Sequence, residues 1–154
     1  MRYLCSRHQK VLVSDRAQSA ALWQGAMSNG CTARRDLNLR LARSFFGSAF
    51  EIALLHVHQT GEGDAYFNRN NLILAGANLC EVLMDLGLSE EAQGCQQLLQ
   101  EYLFIAAGDT TLPQEEREQA MATFRQLASE FVFLQSRERN RASICSGSNE
   151  DSLH

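Results

Sequence analysis

Residues 70–102 read NNLILAGANLCEVLMDLGLSEEAQGCQQLLQEY. Leu72, Leu79, Leu83 and Leu86 recur at spacings of seven, four and three, the pattern of one helical face. Ile73, Val82 and Met84 widen that stripe, so this helix is expected to be buried on more than one side. Gly87 follows the last periodic residue, where a left-handed backbone angle ends a helix. Ser89 can cap the next helix with its side-chain oxygen. Glu90 and Glu91 then fall in the first turn, where the helix dipole favours negative charge. The stretch reads as a helical hairpin with apolar faces left over for neighbouring helices.

Towards the C-terminus, the second helix of the hairpin carries Ala92, Cys95, Leu98, Leu99, Tyr102, Leu103 and Ile105, with glutamines on its polar side. Gly108 and Asp109 stop it. Thr111 and Pro113 open another helix: threonine caps, proline is tolerated in the first turn, and Gln114 can complete a capping box. Ala120, Met121, Phe124, Leu127, Ala128, Phe131 and Leu134 keep a helical period to about Ser136. This helix is expected to cover the open end of the stack. From Arg137 the apolar pattern is lost, and residues 137–154 are expected to form a disordered tail.

Towards the N-terminus, Asp64 can cap the Leu72 helix, with Tyr66 and Phe67 in its first turn, after a break at residues 60–63. A polar line runs along that helix through Asn71, Asn78, Glu81 and Asp85. A longer helix is expected from a Thr32 cap to about Gln59, with Leu37, Leu41, Phe45, Ser48, Ile52 and Leu55 as its main stripe. Phe46, Phe50, Ala53, Leu54 and Val57 form a second flank. Gly47 and Ser48 permit a close crossing. Ser14 caps an earlier helix that ends near Asn29 and Gly30, with Trp23 as a core or partner anchor. Residues 1–13, with Tyr3 and Leu4, fit a short helix or an extended arm packed on the domain.

The hairpin resembles the tetratricopeptide family, whose repeat pairs two antiparallel helices over about 34 residues. Leu79, Leu83, the Leu86–Gly87 turn and Glu91–Ala92 fall where that family has its Leu, its aromatic, its Leu-Gly turn and its Glu-Ala. Gly76 stands at the family's Trp position, Gln96 near its second-helix aromatic, and its closing proline is absent, so the resemblance covers about one repeat. It implies hairpins stacked side by side, with the first helix of each lining a concave groove. The groove positions would be Asn71, Leu74, Ala77, Asn78, Glu81, Met84 and Asp85. Asparagine there can donate to and accept from the backbone of a bound peptide. Bacterial secretion chaperones include small acidic helical-repeat proteins of this size, one concrete form of the resemblance. A helical bundle of other ancestry is the alternative.

The chain has 154 residues, 45% hydrophobic content and a net charge of −4. That suits one all-α domain over residues 1–136, with about five helices, and gives no basic stripe for nucleic acid. No apolar run is long enough to span a bilayer, and the N-terminus has no signal-peptide core. Five scattered cysteines favour a reducing compartment, hence the cytoplasm. No phosphate-binding glycine loop or nucleophile elbow is present, so no enzyme and no cofactor are expected. Cys5 and His8 have the spacing of a metal-ligand pair, but a closed zinc site needs four ligands, and only Cys31, His56 and His58 could complete it. The leading expectation is an adaptor or chaperone-like scaffold that binds a segment of another protein in the groove. The alternative is a self-associating module, a homodimer formed through Trp23 or through Phe131 and Phe133, with Phe133 and Val132 lying off the main stripe of the last helix. A metal- or small-molecule-binding bundle ranks third.

Overall fold

The computed structural model describes residues 3–57 and 66–147. They form six helices: α1 (Ser6–Ser14), α2 (Arg16–Arg35), α3 (Leu39–Val57), α4 (Arg69–Asp85), α5 (Ser89–Gly108) and α6 (Gln114–Gly147). No strand occurs among the described residues, so the fold is all-α as the periodicity predicts. Contacts gather the chain into two units, one reaching Leu99 and one starting at Gln100.

In the first unit α2 packs on α3, α3 on α4, and α1 on both α2 and α3. Two three-residue turns reverse the chain by the same closure. After α2, the Asn38 N–H donates to the Ala33 carbonyl (2.8 Å) and the Leu37 N–H to the Arg34 carbonyl (3.0 Å). After α4, the Leu88 N–H donates to Leu83 (2.8 Å) and the Gly87 N–H to Met84 (3.0 Å). Each pair satisfies carbonyls that a helix end leaves open. The corner residue has a positive φ in both, 59° at Leu37 and 73° at Gly87.

The sequence places the first of these turns too early. Asn29 and Gly30 are interior to α2. Gly30 is there for packing, because a Cβ on it would meet the Phe46 ring at 2.6 Å. Thr32 is likewise helical, and Asn38 heads α3 by accepting from the Leu41 N–H (3.2 Å). Of the main stripe expected on α3 only Ile52 is buried, whereas Phe46, Phe50, Ala53 and Val57 of the second flank lie in the core. Leu37 is 83% exposed in the turn, and the buried apolar residues are Ala42, Phe46, Ala49, Phe50, Ile52, Ala53 and Val57. Small residues bring the helices together there, and each large side chain sealed between them contributes about 1.5–3 kcal/mol.

Two caps also differ from expectation. Asp15, not Ser14, caps α2 by accepting from the Gln18 N–H (2.9 Å), and Ser14 Oγ donates back to the Val11 carbonyl (2.8 Å). Asn68 caps α4 in a box with Asn71. That box accounts for the run of polar residues there and leaves Tyr66 and Phe67 ahead of the helix. Asp64, His58 and the break at 60–63 lie outside the described residues.

In the second unit Leu103 and Ala106 of α5 and Ala120 and Leu127 of α6 are buried, and Phe104 tilts against Phe124 at 6.3 Å. Thr111 does not cap α6. Its hydroxyl and N–H both donate to Asp109 Oδ1 (2.6 and 2.9 Å), and these bonds hold the Asp109 carboxyl below its usual range. The helix does not end near Ser136 but continues to Gly147, and residues 137–142, RERNRA, are mostly good helix formers. Residues 148–154 lie outside the described residues.

Candidate functional site

Three residues of α3 set up the site. Arg43, Gly47 and Glu51 are four apart, so they line one edge of the helix. The line presents a cation, then a gap, then a carboxylate. The N-terminal arm lies along it. Glu51 accepts from two successive backbone amides, Tyr3 N–H (2.7 Å) and Leu4 N–H (2.6 Å), one on each carboxylate oxygen. The Tyr3 ring fills the space where a Cβ on Gly47 would stand. Arg43 covers the ring at 5.8 Å from its centroid, a cation–π distance.

Arg43 is fixed from the other side by Glu91 of α5, at 2.6 Å. Both side chains are about one-third exposed, so the pair adds about 1 kcal/mol or less and acts mainly as a positioner. The Glu91 bond holds the guanidinium more firmly protonated than usual. Burial pushes the Tyr3 phenol up, against the pull of Arg43. Arg43 lies near Tyr3 Oη, yet no N–H of it meets hydrogen-bond geometry. Oη is buried and has no hydrogen-bond partner among the described residues.

Beside the Tyr3 ring a cleft of about 380 Å³ runs between α3 and α5. Phe50 and Leu54 wall it on the α3 side, and Gly94, Cys95 and Leu98 on the α5 side. Glu51, Glu90 and Glu91 give it an acidic rim. Cys95 is inert here: the neighbouring Cys80 thiol and burial push its pKa well up, and its Sγ contacts the Gly76 carbonyl at 3.6 Å. The arrangement suits binding a peptide whose backbone bends at the carboxylate and whose side chains lie on the apolar wall.

The α4 positions named from the family resemblance are dispersed in role. Leu74 is 51% exposed, Asp85 is exposed, and Ala77, Asn78 and Glu81 are half-buried, whereas Met84 is buried and takes no part in the surface. The Asn71 Oδ1 accepts from the Asn68 N–H (2.8 Å), and the Asn78 amide donates to the Leu74 carbonyl (2.8 Å). Glu81 is ion-paired with Arg34 of α2. The two asparagines thus bond within their own helix and its cap.

Cys5 and His8 do come together, with Sγ 3.0 Å from Nδ1. Cys31 is exposed on α2 and His56 is fully buried. Among the described residues no group of three or more His, Cys, Asp or Glu converges on a metal position. No helix among them is long and apolar enough to cross a membrane.

The cleft escaped the sequence reading because its two walls are distant in the chain and the arm that borders it comes from the far N-terminus. The signal was present as charge, glycine and opposite charge at successive four-residue steps in 43–51. Gly47 did register as a point of close approach, but an aromatic ring approaches there, not a helix. Compared with known proteins, the chain matches no family model, no curated protein and no solved structure.

Proposed function

We propose that this protein is a binding scaffold, an adaptor or chaperone-like module that holds a segment of another protein in the α3–α5 cleft. One observation carries the reading: the fold already grips a bent stretch of backbone beside the cleft, through the two Glu51 bonds to Tyr3 and Leu4. The pair of hairpins closed by like turns supports the resemblance to tetratricopeptide repeats. The resemblance alone would place the ligand on the first helices of the hairpins, α2 and α4. The cleft instead lies between the second helices, α3 and α5. The scattered cysteines favour a cytoplasmic setting.

A second reading has one observation in its favour. Val132 and Phe133 are adjacent on α6 and 60% and 64% exposed, which suits a symmetric contact between two copies.

The test is affinity capture on the full chain, followed by hydrogen exchange of the chain with and without the identified partner. Protection of α3 and α5 around Phe50 and Gly94 is expected. Protection confined to the Leu74–Asp85 face of α4 would move the site there. No specific partner, with twice the monomer mass in light scattering, would replace the scaffold by the self-associating module.

A further inference from the structure

We infer that the seat beside the α3–α5 cleft selects a partner segment that bends to present two successive amide N–H groups to one carboxylate and carries an aromatic residue followed by an aliphatic one, with basic residues beside them, and that the chain's own Tyr3–Leu4 holds this seat until such a segment replaces it. The inference rests on the scaffold reading and gives that site its ligand class.

The backbone part of the seat is indifferent to whose backbone fills it. Glu51 bonds two amide N–H groups, which any two successive non-proline residues supply where the chain bends as it does at Tyr3 and Leu4. The ring part is selective. Gly47 leaves room for a flat side chain against α3, and Arg43 closes over its face. An aliphatic side chain would forgo the cation–π contact. The order aromatic then aliphatic is that of the resident pair, Tyr3 and Leu4.

The resident is not an ideal occupant. Its phenolic oxygen is buried without a hydrogen-bond partner among the described residues. It also leaves the cleft beside it open: Phe50, Leu54 and Leu98 wall a volume of about 380 Å³. A longer segment would run across those side chains and bury more apolar surface than the arm does. Charge decides what flanks it. Among the described residues, those lining the cleft include three carboxylates, Glu51, Glu90 and Glu91, and no cation, while the neighbouring Arg43 is engaged by Glu91. A basic segment is therefore favoured and an acidic one repelled.

The probe is a labelled synthetic peptide of the chain's first eight residues, MRYLCSRH, made with Cys5→Ser and read by fluorescence anisotropy against the full chain. Tyr3→Ala in the protein weakens the resident and should raise the peptide's affinity by about tenfold or more, because an attached arm competes at a high effective concentration. Gly47→Ala should abolish peptide binding even though it also expels the arm, since the ring seat is filled. Equal affinity for wild type and Tyr3→Ala, or binding that survives Gly47→Ala, would overturn the inference. So would a wild-type dimer that Tyr3→Ala converts to monomer, which would make a second copy's arm the occupant. If Tyr3→Ala does not fold by circular dichroism, the peptide is titrated into wild type instead. Faster exchange of the Tyr3 and Leu4 amides then supports displacement, and unchanged exchange rejects it. Failure here, with a captured partner still protecting another helix face, removes this ligand class and leaves the scaffold reading intact.

Discussion

The α2–α3 hairpin turns on Leu37 and the α4–α5 hairpin on Gly87, with the same two hydrogen bonds closing each corner. Each also carries a glycine inside its first helix to seat a side chain from its second. A Cβ on Gly30 would meet the Phe46 ring at 2.6 Å, and one on Gly76 would meet a Leu99 methyl at 2.7 Å. The hairpins differ in what they tolerate. The first puts a branched residue at a left-handed corner and buries His56 with no hydrogen bond to either ring nitrogen among the described residues. The second uses glycine at the corner, and its buried thiols point at carbonyls, Cys80 at Ala92 (3.7 Å) and Cys95 at Gly76 (3.6 Å). The common geometry comes from backbone closure, and the residues filling it are more costly in the first hairpin. The arm seat is also built on a helix of that first hairpin, α3.

The largest expected difference between the hairpins lies at the two interior glycines. Gly30→Ala drives a methyl into a fully buried ring that has no room to turn, at a net cost of about 2 kcal/mol after the gain in helix propensity. Gly76→Ala meets the mobile end of Leu99 first and a Phe50 carbon only at 3.0 Å, so it should cost about half as much. Denaturant midpoints of the two variants measure this. Adding Phe46→Leu to Gly30→Ala should recover part of the loss, since residues in contact do not act additively. Equal losses in the two hairpins would mean that ring rigidity does not matter.

The corners should give a smaller effect with opposite signs. Leu37→Gly relieves a left-handed branched residue that is 83% exposed and loses no packing, so it should stabilise by about 1 kcal/mol. Gly87→Ala introduces the same strain and should destabilise by about 1 kcal/mol. Thermal melts of both variants would show it. If Leu37→Gly destabilises, the first corner is held by contacts of the Leu37 side chain.

That contrast also explains what could be read from the sequence. The second hairpin was legible because glycine marks its corner and Leu72, Leu79 and Leu83 repeat cleanly on one face. The first was misplaced because no glycine or proline marks its corner, while Gly30, a packing glycine, mimics a stop signal. On α3 the large residues Leu37 and Leu41 suggested a stripe, but the core prefers the small Ala42 and Ala49 around Phe46 and Phe50, which periodicity of bulk does not reveal. The site was less legible than the fold. Its seat needs Tyr3 to meet Gly47 and Glu51, more than forty residues on, and only folding makes that pairing. The asparagines of α4 looked like ligand groups, yet Asn71 serves the helix cap and Asn78 the Leu74 carbonyl.

The smallest expected effect belongs to the buried histidine of the first hairpin. His56 is sealed from solvent, stacked on Phe67 with ring centroids 4.6 Å apart. Burial lowers its pKa first, and the positive charge of Arg16 lowers it further. The Leu12 carbonyl opposes both weakly; it already accepts from Ser19 Oγ (2.8 Å), and no bond from the ring to it meets hydrogen-bond geometry. The unfolded chain therefore binds a proton at His56 more readily than the folded one does. The stability this contributes is fully present above the unfolded value of about 6.5 and is lost as pH falls through it towards the folded value. Urea midpoints should accordingly drop between pH 7.5 and pH 5.5, and the drop should shrink in His56→Leu, which fills the site without a titrating group. The second hairpin has no counterpart, since the raised pKa of Cys95 keeps its thiol neutral throughout that range. Acid should thus raise amide exchange in α2 and α3 before it does so in α4. A uniform rise across all three helices would mean that His56 is not the group that titrates.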